Sequence, residues 1–344
     1  MKYIDGPVLA IESSCDETSV AIVQATQVLA NVVSSQAELH KKWGGVVPEA
    51  AARMHTEAII PALETALSNA GLGLKEISGI GVTNRPGLIG ALSVGVTAAK
   101  GLAFALGKPM LGVHHLEGHV LSPLMVADVP FPHLCLLVSG GHTEMIRVHA
   151  PGEYEKVGGT IDDAAGEAFD KCARALGLGY PGGPAIQRAA GGGDPRKYHL
   201  PAGLKGPTRD FSFSGLKTAV LYLARDEAER LDLASAAASV EETICSVLTE
   251  RTAAASVELG ARAVTLVGGV AANKRLRAKL LAASEERGLK FFTPPFELCT
   301  DNAAMIGHVA CWRFGRGERD GFDLDTLAST PISEINNGAN TRTN

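Results

Sequence analysis

Apolar residues in this chain come in short runs that end in small polar or glycine residues, and the runs alternate with stretches of helical spacing. VLAIESS (8–14) reads as a strand that turns through CDET into a second strand, SVAIVQA (19–25). The same order returns at LCLLVSGG (134–141), with a turn at His142–Thr143 and then EMIRVHA (144–150). Both pairs predict β-hairpins whose turns are poised to hold something. Further on, ISGIGVTNRPG (77–87) predicts a strand and glycine turn, then a small-residue helix to about Leu106, stopped by Gly107 and Pro109. PMLGVHH then reads as a strand delivering residues 114–119, HHLEGH. The counterpart is AVTLVGGVAAN (263–273), the helix KRLRAKLLAASEERG, and KFFTPPFELCTDN (290–302), read as a strand delivering Asp301.

Alternating strands and helices predict an α/β chain, and the repeated order predicts a duplication. The expected division is 1–112 plus about 303–330 as one subdomain and 113–302 as the other. Residues 178–217 would form a Gly/Pro-rich insertion acting as a mobile binding loop, and 331–344 a flexible tail. If the repeats face each other across a cleft, their last strands end there, where open α/β sheets place ligands. His115 and His119 would then arrive from one repeat and Asp301 from the other.

Composition narrows the picture. The chain has 344 residues, 46% hydrophobic and 20% charged, enough for about two domains with a substantial core. Its net charge of −5 offers no global basic field, so a nucleic-acid partner requires a local patch or a second subunit. Six cysteines without a CxxC pair read as buried free thiols of a reducing compartment. No signal peptide is evident, and LIGALSVGVTAA (88–99) is too short to span a bilayer, so a cytoplasmic protein without a membrane is expected.

His115 and His119 are four apart and share one helical face. With Asp301 they match a two-His-one-carboxylate metal set with open positions, suited to Fe(II) or Zn(II). A zinc protease would need its glutamate one residue after the first histidine. Here it is Glu117, two residues on and about 200° around the helix. The glycine turns LVSGGHT (137–143), GGVAAN (268–273) and PGG (181–183) could cradle a nucleotide through backbone N–H groups. No P-loop motif is present. Asp163, Glu167 and Asp170 share a helical face, with Asp170 able to accept from a ribose. The run Lys274, Arg275, Arg277 and Lys279 reads as a solvated surface more readily than as a phosphate site.

IESSCDETSVAIV (11–23), GGVVPEAAARMH (44–55), HHLEGH, LLVSGGHTEM (136–145), IDDAAGEAFDK (161–171), YPGGP (180–184), FSFSGLKT (211–218), GGVAANKRLR (268–277) and CTDNAAMI (299–306) occur in that order. Together they resemble the tRNA threonylcarbamoyladenosine transferase family of the bacterial TsaD type, once called O-sialoglycoprotein endopeptidases. The resemblance implies the actin/Hsp70-type ATPase (ASKHA) fold, two ribonuclease-H-like subdomains around a central cleft. It implies transfer of threonylcarbamoyl from threonylcarbamoyl-AMP to N6 of the adenosine beside the anticodon in ANN-decoding tRNAs. It also implies His115, His119 and Asp301 as ligands of one divalent metal, Fe(II) before Zn(II). Leu137, Val138, Ser139, Gly140, Gly141, Asp170, Gly183 and Asn273 would hold the adenylate, in a site ATP or ADP can also occupy. The implied partners are tRNA, a catalytically silent paralogue (TsaB type) and a small ATPase (TsaE type). Asp16 and Glu17 are the candidates for taking the proton from the adenine amine. Two positions depart from the family pattern: Arg85 replaces a usual glycine in NRPGL, and Gln187 stands where some relatives carry an acid. The competing readings are a small-molecule kinase on the same fold and a nucleotide-gated scaffold. The first predicts a carboxylate-held Mg²⁺, and the second needs no metal.

Overall fold

A computed structural model describes residues 1–41, 43 and 45–335. The chain forms two compact units, Met1–Ala127 with Thr300–Asn344, and Asp128–Cys299. The borders thus fall at 127/128 and 299/300, not at 112/113 and 302/303 as the repeat suggested.

In the first unit, β1 (Val8–Glu12), β2 (Glu17–Gln24) and β3 (Gln27–Ser35) are followed by α1 (Ala37–Lys41) and α2 (Pro48–Ala70). Then come β4 (Gly79–Arg85), α3 (Ile89–Leu106), β5 (Met110–His114) and α4 (His115–Leu121). The second unit runs β6 (His133–Val138), β7 (Thr143–Ala150), β8 (Glu153–Gly159), α5 (Ala165–Ala175) and α6 (Gly182–Ala189). It continues with α7 (Ser214–Glu227), α8 (Leu233–Glu258), β9 (Ala263–Val267), α9 (Lys274–Glu285) and β10 (Lys290–Phe292). The chain then returns to the first unit as α10 (Ala303–Gly315).

The sheet orders are β3-β2-β1-β4-β5 and β8-β7-β6-β9-β10. Each has two antiparallel hairpin pairs on one side of its central strand and parallel pairing on the other. The duplication read from the sequence is therefore a duplicated topology, the ribonuclease-H-like plan of the ASKHA fold. Strands β3 and β8 were not foreseen. They are edge strands of mixed polarity (QVLANVVSS, EYEKVGG), without the clean alternation that marks a half-buried strand.

The central strands are apolar because helices cover them. All five residues of β1 and all six of β6 are buried. Leu9, Ile11, Val20, Ile22, Ile80 and Val82 join Ile59 and Leu63 of α2 and Val96 and Ala99 of α3 in one core cluster. Leu134, Leu136, Phe169, Ile244 and Leu266 belong to the other. Each fully buried Leu or Ile contributes about 1.5–3 kcal/mol. Helix α3 is longer than the apolar stretch suggested, and its 18 residues are long and apolar enough to cross a membrane by length and composition. Here Ala91, Leu92, Gly95, Val96, Ala99 and Ala103 form its buried stripe, and Gly107 in the left-handed region (φ 61°) caps it as expected.

The insertion 178–217 is not one loop. It contains α6, and its later part lies along α8: Asp194 N donates to Ser235 Oγ, Tyr198 N to Ser239 Oγ, and Arg251 Nη2 to the Leu204 carbonyl. The tail is also packed as far as it is described. Ile332 and Ile335 are buried, and His114 Nε2 donates to the Thr330 carbonyl at 2.9 Å. Residues 336–344 lie outside the described residues.

Candidate metal centre and nucleotide cradle

β5 ends at His114, whose Nδ1 accepts from Leu116 N at 3.2 Å and so caps α4. That cap starts the helix at His115 and places His119 one turn later on the same face. The two rings lie edge to face, 4.8 Å between centroids. Asp301 joins them from the loop before α10, with Oδ1 3.0 Å from His119 Nε2 and 3.5 Å from His115 Nε2. These three residues each offer a ligand atom, all within 4.8 Å of one another. The set is the expected one, but its route differs. Strand β10 stops at Phe292, nine residues short of Asp301, and Asp301 belongs to the same unit as the histidines. Asn302 caps α10 through Met305 N, and Ser19 Oγ of β2 accepts from Ala303 N at 2.9 Å. Those bonds fix the end of α10, and with it Asp301, to the first sheet.

The surroundings supply a second layer. Glu12, fully buried at the end of β1, accepts from His115 Nδ1 at 2.9 Å through Oε2. Thr83 Oγ1 donates to the same oxygen at 2.5 Å, and Ser14 N donates to Oε1 at 2.6 Å. Ser14 Oγ lies 3.2 Å from His115 Nδ1. The turn that carries Ser14 is held from outside: Gly87 comes so close that a Cβ there would meet the Ser14 carbonyl at 2.6 Å. Burial opposes charge on His115, but Glu12 and Asp301 on either side hold its imidazole well above the ordinary range. Burial likewise opposes charge on Asp301, and the His115 and His119 rings outweigh it, holding the carboxyl well below its usual range. Burial pushes His119 down. Glu12, Ser14 and Thr83 were not singled out from the sequence. The available signal was a carboxylate closing the otherwise apolar strand VLAIE.

Asp16 and Glu17 sit in the turn before β2 and at its first residue. Ser35 Oγ donates to Glu17 Oε1 at 3.3 Å. Burial, then the charges of Asp301 and Asp16, push the Glu17 carboxyl up to about 9. Glu117 faces the other way from the ligand set. Fully buried, it takes Arg313 Nη2 at 2.8 Å and Nε at 3.1 Å, a structural ion pair with none of the freedom a hydrolytic base needs. Arg85, at the end of β4, donates to Asn84 Oδ1 at 3.2 Å.

The second unit gathers the glycine turns. Val138 ends β6, Ser139 N donates to the His142 carbonyl at 2.8 Å, and the Ser139 carbonyl accepts from Gly166 N at the start of α5. Gly140 and Gly141 between them, Gly183 at the start of α6 and Gly269 all face open space where a side chain would stand. Gly268 lies at φ 90°, and a Cβ there would meet the Val138 carbonyl at 2.4 Å, so only glycine lets this turn pass against the 137–141 segment. Asp170 Oδ1 accepts from Gly182 N at 2.6 Å, which ties α5 to the PGG turn. The Asn273 side chain has structural work: Oδ1 caps α9 through Leu276 N, and Nδ2 donates to the buried Glu241. Gln187 Oε1 accepts from Lys274 N at 2.8 Å. Of the basic run, Arg275 pairs with Glu241 and Glu242, Lys279 with Glu242, and Arg277 donates to the Pro294 carbonyl. Those three charges serve the unit's own structure.

Residues 27–308 match the family model described as tRNA N6-adenosine threonylcarbamoyltransferase. Curated relatives of that name include one from Synechococcus sp. (strain JA-3-3Ab), 50% identical over 339 residues, covering 95% of this chain and 93% of the relative. One from Symbiobacterium thermophilum is 50% identical over 331 residues, covering 94% and 96%. Among solved structures, component A of the Acidaminococcus fermentans (R)-2-hydroxyglutaryl-CoA dehydratase shares the fold with TM-score 0.55 at 14% identity, covering 90% of this chain and 99% of that one. HypF from T. kodakarensis does so with TM-score 0.58 at 15% identity, covering 90% and 48%. With two ribonuclease-H-like sheets, a two-histidine-one-aspartate cluster and half of all residues shared with such relatives along nearly their whole length, this chain belongs to the tRNA N6-adenosine threonylcarbamoyltransferase family and is a tRNA-modifying transferase.

Proposed function

We propose that the chain transfers the threonylcarbamoyl group of threonylcarbamoyl-AMP to N6 of the adenosine next to the anticodon in tRNAs that read ANN codons, with one divalent metal held by His115, His119 and Asp301. The observation that carries the metal is the donor set itself: two imidazole nitrogens and one carboxylate oxygen within 4.8 Å, on buried and partly buried side chains. That chemistry suits Fe(II), with Zn(II) as the alternative, and disfavours Mg²⁺, which prefers carboxylates and water. A metal held there would supply Lewis acidity.

The protein's own groups do the rest. Backbone N–H groups of the 137–141 segment and of the PGG and GGVAAN turns hold the adenylate, with Asp170 and Asn273 fixing the turns that present them. The adenine amine is a weak nucleophile and needs orientation and a proton acceptor. Asp16 and Glu17, in the turn before β2 and at its first residue, are the candidates for that role. The partners in this reading are a silent paralogue and a small ATPase. A cytoplasmic location follows from the substrate, tRNA.

The test is a transfer assay with the chain, its partners, threonylcarbamoyl-AMP and unmodified ANN-decoding tRNA, read by mass spectrometry of nucleosides. Modified adenosine that disappears on metal stripping and in His119→Ala is the expected result. Modification that survives both would retain the reaction and remove the metal from it.

A further inference from the structure

We propose that Glu12 is a positioning residue that sets the ring orientation and tautomer of His115, and that its own place is fixed by Thr83 and Ser14. This rests on the metal reading above and deepens it. A carboxylate at the end of VLAIE is costly to bury, since an ionised group without partners in an apolar strand loses its hydration. Glu12 is 0% exposed, and the ion pair recorded for it among the described residues is with His115. No lysine or arginine balances it there. The imidazole is the group this charge is built to meet.

The geometry gives the contact a direction. Oε2 accepts from Nδ1, so Nδ1 keeps its proton and Nε2, the atom facing Asp301 and His119, is the nitrogen left to bind a metal. A carboxylate behind a ligating imidazole fixes the ring and raises its basicity, and loss of such a partner weakens metal binding by about 10–100-fold. Glu12 in turn cannot drift, because Thr83 Oγ1 holds Oε2 from β4 and Ser14 N holds Oε1 from the following turn. His119 has no equivalent: its Nδ1 is buried and finds no hydrogen-bond partner among the described residues. Orientation of the pair is therefore concentrated on His115.

The experiment titrates the purified, metal-free full chain with Co(II), following the visible d–d absorption and competing with a chelator. Glu12→Gln keeps the shape and removes the charge. Thr83→Val keeps shape and burial, touches no histidine, and acts only through Glu12. The expected result is one Co(II) site in the wild type, lost in His119→Ala, weakened about 10–100-fold in Glu12→Gln with a shifted spectrum, and weakened by a smaller factor in Thr83→Val. Wild-type Co(II) affinity and spectrum in both variants, with binding still lost in His119→Ala, would overturn the positioning role and leave the metal site standing. No Co(II) binding by the wild type, or binding indifferent to His119→Ala, would overturn both.

Discussion

Glu117 separates a structural account of the HHLEGH segment from a hydrolytic one. Its carboxylate is fully buried and held by two nitrogens of Arg313, at 2.8 and 3.1 Å, and Arg313 also meets Glu318 at 2.7 Å. Breaking a buried pair by neutralising one partner leaves an uncompensated charge inside and costs about 3–5 kcal/mol. Arg313 keeps Glu318 and is 16% exposed, so the lower end, about 3 kcal/mol, is expected for Glu117→Gln. In a unit of this size each kcal/mol moves the midpoint by about 2–4 °C, so its thermal transition should fall by roughly 6–12 °C. Replacing both partners, Glu117→Leu with Arg313→Leu, removes the stranded charge and should recover much of the loss. Calorimetry reads the midpoint, and the transfer assay at a temperature where the variant is folded reads activity. Near-wild-type transfer by a destabilised Glu117→Gln is the expected pair of results. An unshifted midpoint with activity abolished would refute the reasoning and return Glu117 to the chemistry.

Acid stability follows from two other histidines. Burial pushes both His133 and His308 down to about 4, so the unfolded chain binds protons that the folded chain refuses between pH 6.5 and 4. Their contribution is present above pH 6.5 and is lost as pH falls toward 4, up to about 3 kcal/mol each; His308→Gln should flatten the slope of denaturant-derived stability over that window. Gly268→Ala places a Cβ against the Val138 carbonyl at a φ of 90°, and should cost about 1–3 kcal/mol in backbone strain alone, with weakened ADP binding by calorimetry. Asn273→Ala removes the α9 cap and deprives the buried Glu241 of a hydrogen-bond donor. A loss of about 1–2 kcal/mol in a denaturant titration is expected, and an unchanged midpoint would show the cap to be dispensable.

What the sequence made legible was whatever its apolar runs encode. The hairpins β1–β2 and β6–β7, strands β4 and β9, and the helix bounded by Gly107 were readable because central strands must be buried on both faces. Strands β3 and β8 were not, since edge strands tolerate polar positions on either side. Helix α6 was hidden because PGGPAIQRA begins with proline and glycine, residues that speak for a loop until Pro181 is seen to stand at the N-cap. The cluster of His115, His119 and Asp301 was readable from spacing and resemblance, yet the path to Asp301 was not. Whether a chain continues one sheet or crosses back to another unit depends on packing such as Ser19 against Ala303, which leaves no local pattern. The same holds for Glu12, whose role depends on a partner 103 positions away.

The return of the chain to its first unit as α10 has a consequence for biosynthesis. Strands β1 to β5 leave the ribosome early, but the helix that covers them, and the aspartate that completes their ligand set, are encoded after the entire second unit. At about 5–20 residues per second, the roughly 170 intervening residues take on the order of 10–35 s. During that interval the nascent sheet shows the bare surface around Gly81 and Ala10 that α10 later occupies through Ala310 and Gly307. Assembly of the candidate cluster is thereby deferred to near the end of synthesis, and a prematurely terminated polypeptide carries His115 and His119 without Asp301.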